Sequence, residues 1–158
     1  MQHIHHLYDY TITVFIVNKS GQVLLVNHPR YDMWIPMGGH IELDEDPEQA
    51  LYREIAEETG LDVTIMANKP AIKSKGTKFI LTPSYVDVHD ANPPHKHISF
   101  TYFAIAKNDA FTKSDEHTDM KWFTENELKD SRYHLSESVI FYARQAMKVA
   151  KESTVYTL

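Results

Sequence analysis

No cysteine occurs anywhere in the 158 residues, which excludes a disulfide framework, thiolate metal ligation and any cysteine nucleophile. There is no apolar run long enough to span a bilayer as a helix and no leader of the secretory type, so the expected location is the cytoplasm, away from membranes. Repeats, low-complexity tracts and linker-like stretches are missing too, and residues 1–158 are expected to form a single domain with a sizeable core. Glycine is scarce, with five residues in all, yet two of them are adjacent: Gly38 and Gly39.

A surplus of positive charge is also lacking. The formal net charge is -6, and between Glu42 and Glu58 eight acids face a single arginine, a local -7 that leaves the remainder near +1. That distribution argues against a general nucleic-acid surface, disfavours a single-stranded or capped RNA substrate, and leaves local Lys and Arg residues free to meet phosphates. The lack of room for a large recognition domain favours a small soluble substrate.

What the chain does have is the stretch from Gly38 to Leu61, GGHIELDEDPEQALYREIAEETGL. Asp46 suits an N-cap, Pro47 the first helical position, Gln49 completes a capping box, and Gly60 is the residue type found just past a helix end. The spacing predicts a helix over residues 47–59 with a short apolar stripe of Ala50, Leu51 and Ile55. Glu54, Glu57 and Glu58 stand three and four residues apart on it, where like charges repel. Something positive is expected among them, and all-oxygen ligation favours a hard divalent cation, Mg2+ or Mn2+. The plainer reading is a solvated acidic face with an Arg53–Glu57 ion pair.

The wider arrangement separates these readings. Gly39, Glu45, Arg53, Glu54, Ile55, Glu57, Glu58, Gly60 and Leu61 stand in the order G-x5-E-x7-R-E-I-x-E-E-x-G-L, which resembles the Nudix box of the MutT-like hydrolases at every defining position. The resemblance implies a strand-loop-helix that holds Mg2+ or Mn2+ around a diphosphate linkage, with water attacking phosphorus. By position, Glu54, Glu57 and Glu58 are the metal-binding or base glutamates, and the Gly39 carbonyl is an added ligand. Glu45, Arg53 and Gly60 hold the motif together. The resemblance further implies an acid in the loop before Trp122 that completes the metal site; Glu116 is the first candidate, ahead of Asp115 and Asp119.

The leading substrate is a nucleoside triphosphate, with ADP-ribose, nucleotide sugars and dinucleoside polyphosphates as alternatives. A catalytically silent nucleotide-binding or sensor domain is the alternative from another class. The isopentenyl diphosphate isomerases of related fold use a catalytic cysteine, which this chain lacks. Related proteins often pair, so a homodimer is an expected assembly.

Residues 11–17 and 23–26 read as a β-hairpin covered on both faces, and Pro36 keeps Ile35 extended as the chain enters the glycines. Just upstream, Arg30 is a candidate phosphate contact and Trp34 a candidate base-stacking residue, although a Trp among apolar neighbours is first a core residue. Strands are expected over 61–65, 83–89 and 98–106. Alternation in the last puts His97, Ser99, Thr101 and Phe103 on one face, and His95 and His97 are candidate substrate contacts. Lys69, Lys73, Lys75 and Lys78 lie in a weakly patterned stretch, as phosphate contacts or as solvated edge lysines. His3, His5 and His6 form a terminal histidine group able to take a soft metal or to stay solvated. A closing helix from Ser136 to about Lys151 carries a broad apolar face. One helix on each side of a mixed β-sheet gives an α/β/α sandwich, the Nudix fold.

Overall fold

The computed structural model describes residues 6–29, 32–112 and 119–155, apart from the side chains of Thr154 and Val155. Strand β1, Tyr8–Val17, is the axis of the sheet and lies parallel to β7, His95–Ala106, along its whole length, from Tyr8 beside Lys96 to Val17 beside Ile105. Strand β2, Val23–His28, returns antiparallel to β1 through the Asn18–Gly21 turn. On β2 pair β3, Met33–Ile35, and β8, Asp119–Phe123, while β4, Met37–His40, pairs with β1. Strands β5, Val63–Ile65, and β6, Tyr85–Asn92, both run antiparallel to β7.

Each strand of the centre is apolar on both faces because a helix covers each side. Ile12, Val14, Ile16, Leu24, Val26, Met37 and Tyr102 pack with Ala50, Leu51 and Ile55 of α1, Pro47–Thr59. Their sequence neighbours Phe15, Val17, Val23, Leu25 and Phe103 pack with Ala143, Ala146 and Ala150 of α2, Glu137–Val155. The α/β/α sandwich is therefore read directly from the period of two in β1 and β7. None of the described helices is long and apolar enough to cross a membrane.

Two open readings narrow and one expectation changes. Trp34 is only 9% exposed, its ring set edge-on against Phe123 and Tyr133 in the α2-side core, so it offers no face to a base. Lys69 and Lys78 are ion-paired, with Glu48 at 2.8 Å and Asp46 at 2.6 Å, and tie the 66–84 stretch across the start of α1. The hairpin between β6 and β7 is tighter than read, since pairing runs out to Asn92 and His95. Arg30, Glu116, Asp115, His3 and His5 lie outside the described residues.

Candidate functional site

Helix α1 begins as its sequence dictates. The Asp46 carboxylate accepts the N–H groups of Glu48 and Gln49 at 2.9 and 3.0 Å, and the Gln49 side chain accepts the Asp46 N–H at 3.0 Å. The helix stops at Gly60, in the left-handed region at φ 62°, whose N–H reaches the Ala56 carbonyl. These caps set where Glu54, Glu57 and Glu58 fall along the helix.

At its two glycines strand β4 leaves no room for a side chain, at Gly38 because of β1 and at Gly39 because of α1. Gly38 has φ 146°, and a Cβ there would stand 2.2 Å from the Ile12 carbonyl oxygen. A Cβ on Gly39 would stand 2.2 Å from Glu54 Oε1. The Gly38 N–H donates to Glu58 Oε1 at 2.8 Å, so the two glycines and two of the three glutamates share one seam.

Arg53 locks the rest. Its Nη1 donates to Glu54 Oε1 at 2.8 Å and to Glu57 Oε2 at 3.1 Å, its Nε to Glu45 Oε2 at 3.1 Å, and its Nη2 to Glu45 Oε1 and the His40 carbonyl. Glu45 in turn accepts the Glu42 N–H at 2.9 Å. One guanidinium fork thus joins the acidic loop, the end of β4 and the helix. Glu45 and Arg53 are joined by two of these hydrogen bonds.

Glu54 and Glu58 are buried, whereas the Glu57 side chain is 61% exposed. Burial pushes the Glu54 carboxyl up, Arg53 opposes that shift, and the charges of Glu58 and Glu57 add to it. A divalent cation fits this arrangement. The donors are all oxygens, the charges of Glu57 and Glu58 act on the Glu54 carboxyl, and glycine at position 39 leaves room for that carboxylate, although the three glutamates do not bring ligand atoms within 4.8 Å of one another.

His95 and His97 do not sit alone. His95 Nε2 lies 2.7 Å from Asp9 Oδ2, and His40 Nε2 lies 3.5 Å from the same oxygen. The His97 ring is edge-on to His40, His89 and His95, with centroids 5.0, 5.3 and 5.8 Å away. Burial holds the His97 imidazole below its usual range, and His40, His89 and His95 push it the same way. Sequence reasoning missed Asp9, His40 and His89 as members of this group. The signal was register: Asp9 is opposite His97 in the β1–β7 pairing, and no local pattern announces a parallel partner.

Comparison with known proteins agrees with this geometry. The family model for the NUDIX domain matches residues 7–143. An RNA pyrophosphohydrolase of Pseudomonas putida strain F1 is 47% identical over 60 residues, 35% of this chain and 37% of that protein. One of Hamiltonella defensa is 43% identical over 65 residues, 39% of each. The chain thus spans well under half the length of these curated relatives. Among solved structures, a NUDIX-family hydrolase of Clostridium perfringens superposes with TM-score 0.78 at 31% identity, over 90% of this chain and 97% of that one. A Jonesia denitrificans protein described as a possible asymmetric diadenosine tetraphosphate hydrolase shares the fold, with TM-score 0.65 at 19% identity over 93% and 97% of the two chains. A domain match over most of the chain, on a box whose glycines and glutamates meet in space, places this protein in the Nudix family.

Proposed function

We propose that the protein is a divalent-metal-dependent pyrophosphohydrolase that cleaves a diphosphate linkage in a nucleoside diphosphate derivative, with a nucleoside triphosphate as its leading substrate. The observation that carries this reading is the seam in which Gly39 leaves room for the buried Glu54 carboxylate while Glu57 and Glu58 project from the same helix. Glu54, Glu57, Glu58 and the Gly39 carbonyl would hold Mg2+ or Mn2+, with Glu116 completing the set and Arg30 meeting a phosphate. The bound cation supplies charge neutralisation of the diphosphate and a more acidic water. The chain's own groups do the rest. Arg53 fixes the carboxylates of Glu54 and Glu57, and one of the three glutamates accepts the proton of the attacking water. The exposed Glu57 is the one best placed to exchange that proton with solvent.

A second reading, pyrophosphohydrolysis of an RNA, draws support from the activity in the names of the curated relatives, matched over 60 and 65 residues. Net charge -6 weighs toward the small soluble nucleotide. Phosphate and pyrophosphate release should be measured with Mg2+ and separately Mn2+ across canonical and oxidised nucleoside triphosphates, ADP-ribose, nucleotide sugars, dinucleoside polyphosphates and a triphosphorylated RNA oligomer. Selective turnover of one soluble nucleotide supports the leading reading, and turnover of the RNA alone replaces it. Tight nucleotide binding with no release from any member would move the protein to the silent-binder class.

A further inference from the structure

We propose that Asp9, His40 and His97 form a second metal site, for a divalent transition ion of the Zn2+ or Co2+ class, on the face of the sheet opposite α1. The three come from three strands, β1, β4 and β7, and one ligand atom from each lies within 4.8 Å of the others. Strand alternation explains why they meet. Gly39 turns toward Glu54 of α1, so His40 turns to the other face, where Asp9 and His97 stand opposite each other in the parallel pairing.

The donor chemistry differs from that of the glutamate seam. Two imidazoles and one carboxylate suit a borderline ion, whereas carboxylates and a carbonyl suit a hard one. The group also has the outer contact typical of a metal-bound carboxylate, since His95 holds Asp9 Oδ2 at 2.7 Å and fixes the orientation of that carboxylate. Nearby cations are already engaged: Lys96 pairs with Asp90 and Arg53 with the glutamates. Tetrahedral ligation with Zn–N near 2.0–2.1 Å sets donors roughly 3.4 Å apart. The His40 side chain, 56% exposed, has the freedom to close that gap.

An ion here would tie β1, β4 and β7 together one residue from Gly39. It also gives His97 a ligand's role in place of direct contact with substrate. The hydrogen-bonded surface hairpin without an ion is the competing account, and direct titration separates the two.

The full chain, carrying no added histidine tag and held in saturating Mg2+ to cover the glutamates, should be titrated with Co2+ by absorption and with Zn2+ by calorimetry. One ion per chain is expected, with Co2+ bands of imidazole ligation. His40→Ala and His97→Ala should each weaken it at least tenfold, with circular dichroism unchanged for the half-exposed His40 variant. Glu57→Gln and the combined His3→Gln, His5→Gln, His6→Gln protein should bind as the parent does. The proposal is overturned if the parent binds no ion under Mg2+, if both imidazole variants bind it undiminished, or if binding disappears in the Glu57 variant or the terminal-histidine variant.

Discussion

Gly39 and Glu54 compete for the same space: a methyl group on Gly39 would stand 2.2 Å from Oε1 and 2.7 Å from Cδ of Glu54. Because Arg53 holds that carboxylate, the clash is relieved by displacing a catalytic candidate, not an idle side chain. Gly39→Ala is therefore expected to lower kcat by roughly 10²-fold, the scale of a misplacement of about 1 Å, with little change in Tm. Gly38→Ala should chiefly cost stability, since its clash is with the Ile12 backbone at φ 146°, and should also disturb Glu58, which accepts the Gly38 N–H. Loss of stability by about 2 kcal/mol in a denaturant melt would mark it as a fold position.

Arg53→Lys tests whether the fork or the charge matters. Lysine keeps the charge but cannot span Glu45, Glu54, Glu57 and the His40 carbonyl at once. The expected outcome is a loss of about 1–3 kcal/mol in urea unfolding, together with faster amide exchange in the Glu42–Asp46 loop. A variant as stable as the parent, with the loop still protected, would show that the brace is ordinary surface pairing.

Much of this site was legible because it is local. Capping residues, two glycines and the i, i+3, i+4 glutamates lie within 24 residues, Gly38 to Leu61, and their structure follows from short-range chemistry. The sandwich was legible from the continuous apolar character of β1 and the broad apolar face of α2. What escaped was set by distant pairing. Asp9 meets His95 and His97 only because β1 and β7 run parallel, and Lys78 meets Asp46 across 32 positions. Trp34 illustrates a different limit. Its neighbours in sequence fit either a core or a binding surface, and only β3 pairing with β2 decides which face it takes.

Trp34→Ala should accordingly behave as a core truncation. Its ring lies 5.0 Å from Phe123 and 6.0 Å from Tyr133, and its removal is expected to cost about 3–5 kcal/mol. Trp34→Phe should recover much of that, and KM for the preferred substrate should stay within about twofold of the parent's. A KM rise of tenfold or more in a well-folded Phe variant would restore a stacking role.

Glu127 gives a pH signature unrelated to catalysis. Lys121, the Thr124 N–H and the Thr124 hydroxyl hold its carboxylate down at about 2, against 4.5 for the free group. A folded-state pKa below the unfolded one stabilises the protein above pH 4.5 and ceases to do so as pH falls through about 2. Because the pair is partly solvated, Glu127→Gln is expected to cost only about 1 kcal/mol at pH 7. Thermal melts from pH 7 to pH 2 should show the two proteins converging at the acid end. A gap that stayed constant with pH would assign the loss to packing of the turn around Leu128.

The central claim is that the glutamates of α1 serve a divalent cation in hydrolysis rather than solvating a helix face. Its most direct test is the rate of diphosphate cleavage as Mg2+ is titrated, with the parent and Glu57→Gln run side by side and their Tm values recorded. No turnover is expected without the cation and saturating turnover with it, and the variant's kcat should fall by roughly 10²–10⁴, while its Tm stays equal or rises as repulsion among Glu54, Glu57 and Glu58 is relieved. Full kcat in Glu57→Gln, or turnover indifferent to Mg2+ and Mn2+, would contradict it.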